Sequence, residues 1–303
     1  GKASLRKLQR EREVRVKNLR HSLVCVVTTV CPSFDAMYPC PLAAHLPCLL
    51  PSLFHALEDQ DPDLTRHAKG CAELAANTPM LGWNVLPQVL RSVHQAATSS
   101  SWHVRATVLP FLQILVFRHQ FVIRDSDMAA VQETMIHLLS DSQVEVREVA
   151  SDAVAVLVRI GGEALVLGLR SKFAQWAKTP LPPKRVKAGQ KGKKEGGGEE
   201  KEEGEEEAAS RLQGERLRHA GVLGLAALVQ ANPYEVPSWM PEVLVQLANH
   251  VLDPEPIRHT VRKTFGEFWR THQDAWPMLK SCFSEEQLLT LTNLLVSPTY
   301  FSQ

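Results

Sequence analysis

Apolar residues recur along this chain at the spacing of one helix face, in segment after segment, with short polar turns between them. Val104, Val108, Phe111, Leu112 and Leu115 form one such stripe; Val146, Val149, Ala150, Ala153, Val156 and Leu157 form another. The pattern predicts helices over about 3–31, 42–57, 62–78, 84–98, 102–120, 127–140, 143–160, 163–177, 209–231, 238–251, 255–271 and 284–296, with 273–282 helical as well. Ser284 and Gln287 make a capping box that sets the start of the last helix. Leu288, Leu291, Leu294 and Leu295 share one face of it, and Pro298 stops it, leaving Thr299-Tyr-Phe-Ser-Gln303 beyond the last packed turn. An aromatic pair at that place either folds back on the helix or serves as a peg for another protein's pocket.

The stripes keep time. Four turns read Asp59-Gln-Asp-Pro-Asp-Leu-Thr-Arg66, Ser99-Ser-Ser-Trp-His-Val-Arg105, Asp141-Ser-Gln-Val-Glu-Val-Arg147 and Asp253-Pro-Glu-Pro-Ile-Arg258. Arg66 to Arg105 is 39 residues, Arg105 to Arg147 is 42, and Arg218 to Arg258 is 40. Arg147 to Arg218 is 71, but a low-complexity stretch of about thirty residues lies between them. Two helices per forty residues is the signature of a HEAT-type repeat, so the expected class is all-α, a helical-repeat solenoid with one charged insert. An unrelated all-α bundle is the alternative. Asp in the turn is expected to cap the second helix of each pair, with the repeat's Arg reaching back to a carboxylate.

Composition agrees: aromatics are 6%, too few for a typical sandwich or barrel. The net charge of +1 gives no overall field that would argue for nucleic acid. Cys25, Cys31, Cys40, Cys48, Cys71 and Cys282 lack the paired spacings of a structural zinc site, so reduced thiols are the default and no metal is expected. The apolar run Leu23 to Cys31 is too short to span a bilayer and lacks a cleavage signal, so no membrane association is expected.

The chain therefore divides into a basic helical segment (1–40), HEAT-like repeats (41–177), a Lys/Glu-rich insert expected to be disordered (178–210), further repeats with a final helix (211–298) and a tail (299–303). The basic segment carries Lys2, Arg6, Lys7, Arg10, Arg12, Arg15, Lys17 and Arg20 against Glu11 and Glu13; a solvated face is the plain reading, contact with an acidic partner the other. Within the insert, Pro182-Pro-Lys-Arg-Val-Lys187 with Lys191, Lys193 and Lys194 resembles a nuclear import signal, its cations being Lys184, Arg185, Lys187, Lys191, Lys193 and Lys194. A solvated loop is the competing reading. No nucleophile–base pattern, phosphate loop or zinc-protease motif is present, so an enzyme is not expected.

From Trp83 onward the residues resemble a known family, the large HEAT-repeat activators of the core proteasome. The resemblance rests on Ser99 to Arg105, Val144-Glu-Val-Arg-Glu148, Arg218-His-Ala-Gly-Val-Leu-Gly-Leu225, Pro233-Tyr-Glu-Val-Pro-Ser-Trp-Met-Pro241, Asp253 to Ile257, Arg270 to Asp274 and Glu286 to Pro298. It covers turns as well as helices, and implies that this chain corresponds to the C-terminal sixth or so of a longer solenoid. The resemblance implies an ATP-independent activator of nucleus and cytoplasm, with roles in DNA repair and acetylated-histone degradation. Its partners would be outer-ring subunits of the core proteasome and, through the family, acetylated histones, without direct nucleic-acid contact.

By the same resemblance, Thr299, Tyr300, Phe301, Ser302 and Gln303 would enter a pocket of the ring and promote gate opening. The family ends Tyr-Tyr-Ala, its carboxylate meeting a pocket Lys. Here Phe301 lacks the second hydroxyl, and Gln303 moves the carboxylate by about 3.3–3.6 Å in an extended chain, so rings and carboxylate do not both fit the usual register. An acetyl-lysine site of the family uses an Asn-Phe pair where this chain has Gly161 and Gly162, which can neither donate to the acetyl oxygen nor pack on its methyl. No cofactor is expected, apart from the inositol phosphates that the family binds; Arg258, Arg262 and Lys263 are the candidate contacts.

Overall fold

The computed structural model describes residues 2–30, 43–80, 84–181 and 199–295. The import candidates Lys184, Arg185, Lys187, Lys191, Lys193 and Lys194 and the tail from Thr299 to Gln303 lie outside the described residues. Among those described, every regular element is helical. In order they are α1 (Lys2–Val30), α2 (Leu46–Ala56), α3 (Pro62–Asn77), α4 (Val85–Ala97), α5 (Trp102–His119), α6 (Asp125–Leu139) and α7 (Val144–Ile160). There follow α8 (Glu163–Ala177), α9 (Glu199–Gln230), α10 (Met240–Ala248), α11 (Ile257–His272), α12 (Trp276–Leu279) and α13 (Glu285–Leu295). Most ends fall within about two residues of those the periodicity predicts. The large difference is α9, which starts at Glu199, inside the stretch read as an unpacked insert. Low hydrophobicity removes a reason to pack, but glutamate is a good helix former and suits a helix N-terminus.

The chain divides into two compact units, residues 1–138 and 139–303. In the first, α2 packs on α3, α4 on α5, and like helices of successive pairs stack, α2 on α4 and α3 on α5. Its core is built by Leu50, Phe54, Leu64, Ala68, Val89, Val93, Val108 and Leu112, with Phe54 edge-to-face on Phe111 at 5.5 Å. Polar ties repeat the beat: Ser101 Oγ donates to Glu58 across 2.6 Å, and the Met80 amide donates to His119 Nε2 across 3.3 Å. His119 Nδ1–H then donates to the Leu115 carbonyl. α1 packs on α3, and Arg12 and Arg20 lie on the acidic turn before α3, Arg20 paired with Asp61 and Arg12 with Asp59. Arg20 holds the Asp61 carboxyl below its ordinary value, and Asp61 raises that of Arg20.

In the second unit α9 is central and packs against α7, α8, α10 and α11. From Ala220 to Val229 nearly all of it is buried. It comes unusually close to α8, because a Cβ at Gly221 would stand 2.2 Å from the Ala177 nitrogen and one at Gly224 would stand 2.3 Å from the Phe173 ring. α7 and α9 keep one constant offset of 72 residues: Arg147 bonds His219, Ser151 bonds the Leu223 carbonyl and Arg159 bonds the Ala231 carbonyl. The insert therefore lengthens one connection without disturbing the register of the helices on either side.

A buried polar chain joins α7, α9 and α11. Arg147 Nη1 donates to the Asp141 and Ser142 carbonyls, at 2.7 and 3.2 Å, and its Nε donates to His219 Nδ1 at 3.1 Å. That leaves His219 Nε2–H to donate to Thr260 Oγ1 at 3.0 Å. Arg147 is 4% exposed and His219 0%. Burial, and then the charge of Arg147, push the His219 imidazole down to about 3, so it is neutral. Burial likewise lowers the Arg147 guanidinium from its ordinary range.

The two expectations about the turns hold at some repeats and not at others. Asp61 does cap α3, accepting from the Asp63 and Leu64 amides. Asp141 instead closes a tight turn on the Gln143 amide, and Asp253 accepts from Arg218 and bonds His250. The expected carboxylate partners are found for Arg66 on Asp63, Arg218 on Asp253 and Arg258 on Glu255, while Arg105 and Arg147 also donate to the carbonyls six and five residues back. A carbonyl at a helix end has no helical partner and is always present, whatever the turn's side chains. The capping box of α13 is as expected: the Ser284 amide donates to Gln287, and the Gln287 amide to Ser284 Oγ.

Candidate functional site

α7 ends where Gly161 and Gly162 turn the chain into α8. Across from this turn, α9 ends and the chain runs through Pro237, Ser238 and Trp239 into α10. Between them lies a cleft of about 690 Å³ lined by Val158, Arg159, Gly161, the outer face of α8 and the α9–α10 turn. The α8 residues in the lining are Glu163, Ala164, Val166, Leu167 and Arg170, within the first two turns of the helix, while Leu169, Phe173 and Ala177 are buried in its packing. Arg159 is fixed at the cleft wall by two carbonyls, Ala231 and Gln230, each at 3.1 Å. Asn232 lines the cleft too, and its amide donates to the Leu228 carbonyl.

Of the two positions that the resemblance assigns to an acetyl-lysine site, Gly161 borders this cleft and Gly162 is not part of its lining. A Cβ at Gly161 would stand 2.2 Å from Leu165 Cδ2 and 3.0 Å from the Leu157 carbonyl, so the Leu165 side chain occupies the space that a larger residue would need. At Gly162 a Cβ would meet nothing within 4 Å.

The three inositol-phosphate candidates are not gathered in one cleft. Arg258 donates to Glu255 at 2.8 Å and holds its carboxyl below the ordinary value. Arg262 is exposed on α11. Lys263 lines a smaller cleft of about 280 Å³ with Asp152, Glu267 and Arg270, where burial raises the Asp152 carboxyl and Lys263 opposes that shift. Among the described residues no group of three or more His, Cys, Asp or Glu could hold a metal, and no helix is long and apolar enough to cross a membrane.

The cleft itself was not legible in the motifs. It arises where residues about seventy positions apart meet, across the insert. The signal present in the sequence was the quoted turn Pro233 to Pro241 together with the Glu163–Arg170 spacing on one face of α8.

Comparison with known proteins agrees with the resemblance read from the sequence. Residues 215–302 match the family model described as proteasome activator complex subunit 4-like, C-terminal. The chain is 36% identical over 300 residues to proteasome activator complex subunit 4B of Danio rerio, covering 97% of this chain and 15% of that protein. It is 40% identical over 242 residues to the Homo sapiens proteasome activator complex subunit 4, covering 79% of this chain and 12% of that protein. A shorter stretch of 79 residues is 30% identical to proteasome activator BLM10 of Saccharomyces cerevisiae, covering 25% of this chain and 4% of that protein. The chain thus resembles proteasome activator complex subunit 4 along most of its length, and spans about one seventh of the relatives' own length.

Proposed function

We propose that this chain, with its likeness to proteasome activator complex subunit 4 as the premise, is the C-terminal HEAT-repeat part of an ATP-independent activator. It caps the core proteasome ring and promotes gate opening through its tail. The observation that carries the reading is identity of 36% sustained over 97% of the chain, with the C-terminal family match running through Ser302 and so into the tail. The Lys184 to Lys194 cations bring it to the nucleus as well as the cytoplasm, where a role in DNA repair belongs to the same reading. Acetylated-histone recognition does not, given glycine at 161 and 162 and Leu165 in the space beside Gly161.

Gate opening requires that the tail bind the open ring better than the closed one. A charge-assisted contact of the terminal carboxylate would contribute about 1.5–3 kcal/mol. With Phe301 and the added Gln303, the tail seats either its rings or its carboxylate in the family's register, so docking is weaker than for a Tyr-Tyr-Ala end. Co-sedimentation with purified core proteasome, followed by hydrolysis of a fluorogenic peptide, tests the reading. The chain should bind, and a tail peptide ending in Gln303 should stimulate less than its Tyr-Tyr-Ala version. Absence of both binding and stimulation sinks the activator reading in favour of a repeat scaffold with another partner. Equal potency of the two peptides sinks only the register argument.

A further inference from the structure

We propose that the cleft between α8 and the α9–α10 turn is a docking site for an acidic peptide segment, one with a carboxylate beside an apolar side chain. This goes beyond the activator reading and does not depend on it. The volume, about 690 Å³, lies within the range of built ligand clefts. Its apolar surface comes from Val158, Leu167, Pro237 and Trp239, and Leu167 is 57% exposed without a covering element.

Its charges are sorted. Arg159 is held by two carbonyls, so its cation is positioned before any ligand arrives. Arg170 has no hydrogen bond or ion pair among the described residues, although it lines the cleft. Glu163 is the one carboxylate in the lining, and it sits two helical turns from Arg170, about 10.5 Å along α8. Two cations against one anion favour a negatively charged occupant, with its carboxylate at the Arg170 end. A guanidinium suits a carboxylate geometrically, through parallel N–H donors. The exposed face of α8 that needs covering is about 10 Å long, which about three extended residues span. A segment of alternating acidic and apolar residues meets both demands. A basic peptide carrying acetyl-lysine would instead bring its cations to Arg159 and Arg170, where Gly161 has no side-chain amide to hold the acetyl group and its backbone amide is bonded to the Leu157 carbonyl.

The test is fluorescence anisotropy on the whole chain with three labelled hexapeptides: Glu-Leu repeated three times, Lys-Leu repeated three times, and a basic peptide with a central acetyl-lysine. The acidic peptide should bind best, and more weakly at high salt. Arg170→Glu should weaken it by about tenfold or more, with Arg170→Lys losing less, because a point charge keeps attraction but not the paired donors. Leu167→Ser, at an exposed position, tests the apolar part with little risk to folding, and should weaken the same peptide several-fold. Unchanged melting temperatures of the variants establish that the fold is kept. The proposal is overturned if the acidic peptide does not bind, if the acetyl-lysine peptide binds as tightly, or if folded Arg170→Glu and Leu167→Ser leave its affinity unchanged. Should Arg170→Glu fail to fold, Leu167→Ser decides alone.

Discussion

Arg105 in the first unit and Arg147 in the second are the same device placed in different surroundings. Each lies in the first turn of a repeat's second helix, and each sends Nη1 to the carbonyls six and five residues back. Arg105 is half-buried. Arg147 is almost wholly enclosed and continues into His219 on α9 and Thr260 on α11. The repeat sequence thus specifies the turn contact, and burial decides how much depends on it. A guanidinium that water still reaches gains little by exchanging water for carbonyls. An enclosed one cannot be removed without stranding every group it serves.

Substitution at the two sites tests that difference most directly. Arg147→Met leaves two turn carbonyls and His219 Nδ1 short of a donor in a dry site, and should cost about 2–5 kcal/mol. Arg105→Met should cost only about 0.5–1.5 kcal/mol, since water can replace it. Urea unfolding measures the totals, and hydrogen exchange shows whether the loss from Arg147→Met is confined to residues 139–303. Equal costs at the two positions would mean that burial does not set the weight of the contact.

Acid separates the units in a second way. The folded value of His219, about 3, lies below the ordinary 6.5, so the unfolded chain takes up that proton first. The stability contributed by the neutral ring is complete above pH 6.5 and falls as pH drops toward 3, by at most about 1.4 kcal/mol per pH unit. In the first unit the depressed group is Asp61, held down by Arg20 at the surface. Its contribution is present above its ordinary 3.8 and is lost only as pH falls through the lowered value, and salt screens it. Between pH 6.5 and 4.5, therefore, exchange protection should weaken in 139–303 and hold in 1–138. His219→Gln should flatten that response. A pH response shared by both units would contradict the assignment.

The helices and their beat were legible because both rest on local spacing: the stripe of Val104 to Leu115 and the 40-residue interval need no knowledge of neighbours. The α9 start was misplaced because a Glu run has helix propensity without apolar periodicity. The polar chain was missed for another reason. His219 sits in an apolar run, where a histidine looks inert, and only the 72-residue offset between α7 and α9 brings it to Arg147. The cleft shares that origin, since Arg159, Arg170 and Trp239 become neighbours through packing across the insert. Local rules reach as far as each helix; a site made by several helices appears only once their register is known.

Glycine gives the finest contrast between the two units. Gly70 lies within α3 and Gly221 within α9, and by helix propensity alone alanine should stabilise either by about 0.5–1 kcal/mol. A Cβ at Gly70 meets nothing within 4 Å, so Gly70→Ala should show that gain, read as a small rise in the urea midpoint. At Gly221 the Cβ would fall 2.2 Å from the Ala177 nitrogen and 2.7 Å from the Trp176 carbonyl carbon. Backbone cannot swing aside as a side chain does, so α8 and α9 must separate, at a cost of about 1–3 kcal/mol or more. The net effect of Gly221→Ala is then destabilising, opposite in sign to Gly70→Ala. The widened α8–α9 contact would also shift the α8 face of the cleft, so acidic-peptide affinity should fall in Gly221→Ala and stay unchanged in Gly70→Ala. Two gains of equal size would show that α8 yields freely and that close approach at Gly221 does not hold the cleft in shape.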